Sequence, residues 1–202
     1  MRKTTTTHRI RIRRLKRVLL AVSALLIATT LLLASCSGNK KWNEEERKAT
    51  REMVREWREL AYLNALTEEE FALFANRVTD VLENQYPSYV EFIEMPMVGD
   101  SVETVVIATI VTEIKASPSR LRHLFPYKEL VRQEILPDGL GAISQEDFYN
   151  CLAEKVNMVY GSMQEFVWDA VYSRLDDVVI AQMLRRCAAP FWDVDLTIVE
   201  IN

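Results

Sequence analysis

The chain opens with a basic segment that lacks any carboxylate, followed by an apolar run too long for a loop and too short for a comfortable membrane span. Residues 1–17 carry Arg2, Lys3, Arg9, Arg11, Arg13, Arg14, Lys16 and Arg17. Residues 18–33 then give 16 mostly apolar positions, against the roughly 20 that a helix needs to cross hydrocarbon. A segment this basic stays on the cytoplasmic side of a membrane, so the two together read as an export signal. The folded body must therefore be built from the residues beyond the apolar run.

Leu33-Ala34-Ser35-Cys36 closes the apolar run. With the basic and apolar regions ahead of it, this stretch resembles the signal peptide and lipobox of bacterial lipoproteins. The resemblance covers residues 1–36 alone. It implies cleavage before Cys36, lipidation of Cys36, and attachment to the membrane by more than one acyl chain, as stable anchoring requires. Ser37, in the position where an aspartate retains many such proteins at the inner membrane, implies the outer membrane. The residues after Arg13-Arg14 do not continue into a twin-arginine export motif. The expected organisation is a signal peptide at 1–35, a lipidated cysteine with a short tether at 36–41, and one folded domain at 42–202. Fully extended, residues 37–41 reach on the order of 20 Å, which keeps that domain close to the bilayer.

Cleavage changes the charge of the molecule. The chain has 25 Lys and Arg against 29 Asp and Glu. The signal removes 8 basic residues and no acidic one, leaving 25 − 8 = 17 against 29, a net charge of −12. A domain this acidic has no cationic excess for a nucleic-acid footprint. Besides Cys36, two cysteines remain, Cys151 and Cys187. In an exported protein they read either as a disulfide between two C-terminal helices or as two buried thiols acting as small apolar residues.

Helical periodicity and capping residues recur along the rest of the chain. Asn43 followed by Glu44, Glu45 and Glu46 predicts a helix start, with Ala49, Met53, Trp57, Leu60 and Ala61 as its apolar stripe. Thr67 with Glu70 and Ser88 with Glu91 read as capping boxes. Gly99-Asp100 reads as a turn, with a new helix starting around Ser101. The ambiguous stretch is 102–114, rich in Val, Ile and Thr. β propensity favours a strand there, and a short hairpin within 89–114 is the competing reading. Helical spacing of Val102, Val105, Val106, Thr109, Ile110 and Ile114 favours a helix, because a lone strand cannot satisfy its backbone. Pro118, Pro126 and Pro137 break 117–141 into short helices. Ser144, Ser162 and Asp176 or Asp177 then cap three more helices, and Pro190 either ends the last or begins another over 191–201, where a strand fits nearly as well. The expected fold is all-α, a single irregular bundle of about six to eight helices.

The chemistry-bearing residues are sparse. With the signal removed, His123 is the one histidine left. HExxH, paired-cysteine, GxSxG and phosphate-loop motifs do not occur, so no metal, cofactor or catalytic residue is assigned. Asp176 with Asp177 and Asp193 with Asp195 are carboxylate pairs of the kind a glycoside hydrolase needs, but caps explain the first pair better. The distinctive cluster is Arg120, Arg122, His123, Lys128 and Arg132, interleaved with Phe125 and Tyr127. In an acidic domain this basic island could receive an anion or an acidic partner segment, or pair with carboxylates of its own chain. Trp57 reads as core, whereas Trp42, at the edge of the domain, could touch the membrane interface. The function expected is that of a lipid-anchored, non-catalytic envelope protein that binds another envelope protein. A helical module for a small ligand or peptide is the next reading, and a carboxylate-dependent hydrolase the third.

Overall fold

The computed structural model describes residues 42–192. Helices account for all the regular structure among them, and the all-α expectation holds. In order they are α1 (Glu44–Arg55), α2 (Ala61–Asn64), α3 (Glu68–Gln85), α4 (Tyr89–Ile93), α5 (Val98–Ala116), a 3-10 helix (Pro118–His123), α6 (Tyr127–Arg132), α7 (Ala142–Tyr160), α8 (Met163–Val171) and α9 (Asp177–Trp192). Four of these segments are six residues or shorter, which is why ten appear where six to eight were expected.

The ambiguous stretch 102–114 lies inside α5, and the hairpin within 89–114 is replaced by α4 and α5. Helix α5 packs against α1, α3, α8 and the 3-10 helix, so it is enclosed on several sides. Val102, Val105, Val106, Ile107, Thr109, Ile110, Val111 and Ile114 are all buried. A helix covered on most of its circumference must be apolar nearly all round. That requirement explains a β-branched run which looks like a strand in isolation. Thr109 Oγ1 satisfies itself by donating to the Val105 carbonyl at 2.7 Å. The helix begins at Val98, before Ser101, and Asp100 lies inside its first turn.

Caps set several of the other boundaries. Asn43 and Thr67 each form a complete capping box, with Glu46 and Glu70 respectively. Ser88 and Ser162 accept the backbone N–H of Glu91 and Glu165. Asp176 Oδ1 accepts from both Val178 and Val179, which makes Asp176 the cap of α9. Ser144 is not a cap: α7 starts at Ala142 behind Gly141 without a side-chain bond. Gly161 ends α7 in the left-handed conformation, φ 74°, which glycine adopts without a Cβ clash. Pro190 neither ends α9 nor starts a new helix, since α9 runs on to Trp192. Residues 193–202, with Asp193 and Asp195, lie outside the described residues, as do the signal, Cys36 and the tether.

The stripe expected on α1 is rotated. Its buried residues are Arg47, Thr50 and Val54, whereas Ala49 is exposed and the helix stops at Arg55. The rotation follows from charge pairing: Arg47 reaches Asp80 and Glu83 on α3. Trp42 is likewise corrected from membrane edge to core, at 2% exposure. Its backbone N–H donates to Glu83 Oε1 and its indole Nε1 to the Tyr86 carbonyl, both at 2.9 Å. Trp57 packs partly buried against the core. A single hydrophobic cluster runs from Trp42 to Ala188. Within it Cys151 of α7 and Cys187 of α9 are joined by a disulfide, with Cα atoms 5.7 Å apart.

Candidate functional site

The basic island divides into two parts. Pro118 starts a 3-10 helix directly after α5, and its last turn carries Arg120, Arg122 and His123. Leu121 points into the core and is fully buried. Arg120 and Arg122 approach one oxygen of Glu70, Oε1, at 3.4 and 3.6 Å. The other carboxylate oxygen of Glu70 accepts the Thr67 N–H at 3.0 Å as part of the α3 capping box. Lys128 and Arg132 lie on α6 instead. Arg132 closes a two-point contact with Glu129 of its own helix, at 2.9 and 2.6 Å, and Lys128 is exposed. The aromatic neighbours of the island are structural. Phe125 stacks on Phe166, and the Tyr127 hydroxyl donates to the Pro137 carbonyl while accepting from the Leu140 N–H.

His123 is buried beside Tyr62, edge to face, with ring centroids 5.2 Å apart. Its Nε2 is enclosed without a hydrogen-bond partner. Burial, reinforced by the charges of Arg122 and Arg120, pulls the imidazole down from 6.5 to about 4, while Glu70 and the Ala65 backbone pull it partway back. The ring is therefore neutral at physiological pH. Tyr62, itself fully buried on α2, donates its phenol to Glu113 of α5 at 2.8 Å. Burial and the neighbouring Glu113 carboxylate hold that phenol far above the usual tyrosine range, so it stays protonated. Glu113 is bound on its second oxygen by Arg77 of α3. Glu70 is held below its usual value, chiefly by its Thr67 backbone bond and against a burial effect that raises it.

The cluster thus ties α2, α3, α5 and the 3-10 helix together through Tyr62, Glu70, Arg77, Glu113 and Arg120. Sequence reasoning singled out the arginines and the histidine but missed their partners. Glu70 stood out only as a cap. Tyr62 and Glu113 are 51 residues apart and carry no local signature. A second polar knot, Arg47 with Asp80, Glu83 and the Trp42 backbone, was also missed, because an arginine on a charged helix face reads as solvated.

Among the described residues, no group of three or more His, Cys, Asp and Glu side chains could hold a metal ion. No described helix is long and apolar enough to cross a membrane. The carboxylate of Asp176 is occupied as a helix cap. Set beside known families, characterised proteins and solved structures, the chain matches none.

Proposed function

We propose that this chain is a lipid-anchored protein of the bacterial cell envelope, held in the outer membrane through Cys36, whose helical body binds another envelope protein without catalysis. The observation that carries the reading is Leu33-Ala34-Ser35-Cys36 behind its basic and apolar segments. The disulfide between Cys151 and Cys187 is in keeping with it, since such bonds persist in oxidising compartments outside the cytoplasm. The use made of the polar groups favours interaction over catalysis. Glu70, Glu83, Glu113 and Tyr62, all buried or half-buried and able to act as acids or bases, join helices to one another. The partner-facing cations are then the exposed ones, Arg122 on the 3-10 helix and Lys128 and Arg132 on α6, which suit carboxylates of another protein.

Two measurements test the reading. Cys36→Ala is expected to abolish metabolic palmitate labelling and release the protein from the membrane fraction, and persistent labelling overturns the anchor. Crosslinking in cells is expected to recover less partner from a chain carrying Arg122→Ser, Lys128→Ser and Arg132→Ser than from wild type, with the helical circular dichroism unchanged. Equal recovery removes these three cations from the interface.

A further inference from the structure

We propose that the outer face of α4 and the turn after it, formed by Val90, Ile93 and Met97, inserts into the interfacial layer of the same bilayer that holds Cys36. The inference rests on the lipid-anchor reading. Its geometry starts at Trp42, which is buried and hydrogen-bonded into the body. Only residues 37–41 separate Cys36 from that fixed point, so the linkage reaches on the order of 20 Å at most. Whatever surrounds Trp42 is therefore the membrane-proximal part of the molecule.

The elements around it are the C-terminal end of α3, which takes its hydrogen bonds, and α4, which takes its ring contacts. Trp42 lies 5.1 Å, centroid to centroid, from both Tyr89 and Phe92. Those two side chains form the inner face of the helix. Val90 and Ile93 each come one position after one of them, about 100° further round the helix. That direction is outward: Val90 is 56% exposed, Ile93 42% and Met97 70%. Of the nine large hydrophobic residues exposed among the described residues, three fall within these eight positions. Scattered exposed apolar residues are ordinary, but three within eight positions beside the anchoring point are a concentration.

Met97 adds an independent observation. It holds the left-handed conformation, φ 65°, at the N-cap of α5, where glycine or asparagine fits with less strain. The Met97 carbonyl accepts the Asp100 and Ser101 N–H groups, which accounts for the turn of the backbone, whereas its long apolar side chain stands mostly in water, open to a contact outside the fold. Glu91 on this short helix and Glu94 at its C-terminal cap, both exposed, limit the depth. They suit the headgroup layer, with the apolar side chains reaching just below it.

The test uses the full lipidated chain in phosphatidylcholine vesicles that carry brominated acyl chains. Ile93→Cys and Met97→Cys are each labelled with an environment-sensitive fluorophore, and Glu154→Cys on α7 serves as the exposed reference. With Cys36 acylated and Cys151 bonded to Cys187, the introduced thiol is the one that reacts. The expected result is a blue-shifted emission quenched by the brominated lipid at 93 and 97, and neither effect at 154. A chain that carries palmitate and floats with the vesicles, yet shows no quenching at 93 and 97, overturns the inference and leaves the anchor standing. Labels that are blue-shifted in isolated native membranes, yet neither shifted nor quenched in the brominated vesicles, assign the patch to a protein partner and likewise overturn it. A chain that takes up no palmitate overturns the anchor and this inference with it.

Discussion

His123 is buried with an unpartnered ring nitrogen, and the consequences can be measured. It is 7% exposed, faces Tyr62 from α2 and Glu70 from α3, and shares its own short helix with Arg120 and Arg122. In the unfolded chain it titrates near 6.5, and in the fold at about 4. Between those values the unfolded state binds more protons, so stability falls as pH drops from about 6.5 towards 4. A shift of this size corresponds to about 3 kcal/mol at most. Below pH 4 the folded ring protonates as well, and this contribution to the slope ends. The lowered carboxyl of Glu70 acts in the same direction, but only as pH falls below its ordinary value of 4.5. Urea unfolding at steps from pH 7 to 4.5 should show the loss, and His123→Phe, which keeps the aromatic contact with Tyr62, should remove most of it. Identical slopes for the two proteins would exclude the imidazole as the cause.

Helix α5 shows how burial on all sides changes what a sequence pattern means. Its β-branched residues lower helix propensity only by tenths of a kcal/mol each, whereas the burial of a side chain such as Ile110, fully enclosed, is worth roughly 1.5–3 kcal/mol. Packing outweighs propensity, and the segment is a helix. Ile110→Ala is accordingly expected to destabilise by about 2–5 kcal/mol through lost contacts and a residual cavity. The neighbouring surface change Thr112→Ala, at an exposed position of the same helix, should stay within about 0.5 kcal/mol. Denaturant midpoints of the two variants check the contrast, and comparable losses would mean that α5 is not the centre of the core. Legibility in the sequence divides along the same line between local and distant contacts. Caps such as Thr67 with Glu70 are local, with donor and acceptor three positions apart, and this one marked its helix start correctly, whereas Ser144 did not. Tyr62 with Glu113 and Arg47 with Glu83 are long-range pairs, and a charged or polar residue gives no local sign of which partner it will meet. The rotation of α1 follows from that blindness, since its buried face includes an arginine that periodicity counts as wet.

Helix α5 packs against α1 and α3 from the first half of the chain and against α8 from the second, where α7 packs in turn on α8 and on α9. Those C-terminal helices are joined by Cys151 and Cys187, 36 positions apart in sequence, with α8 enclosed between them. Closing a loop of that size removes chain entropy from the unfolded state worth about 4 kcal/mol. Set against the 5–15 kcal/mol that ordinary domains retain in total, a single covalent link becomes a large share of the stability. At roughly 2–4 °C per kcal/mol for a body of this size, reduction should lower the melting temperature by about 8–16 °C. The loss should be greatest where α7, α8 and α9 meet, since α1 and α3 contribute nothing to the closed loop. The measurement is a thermal melt with and without reductant, repeated on a Cys151→Ala, Cys187→Ala protein. The double variant should melt near the reduced wild type and ignore the reductant. If wild type also ignores it, with its thiols shown to be free, the two cysteines serve as packed apolar side chains and the C-terminal helices are held by their core alone.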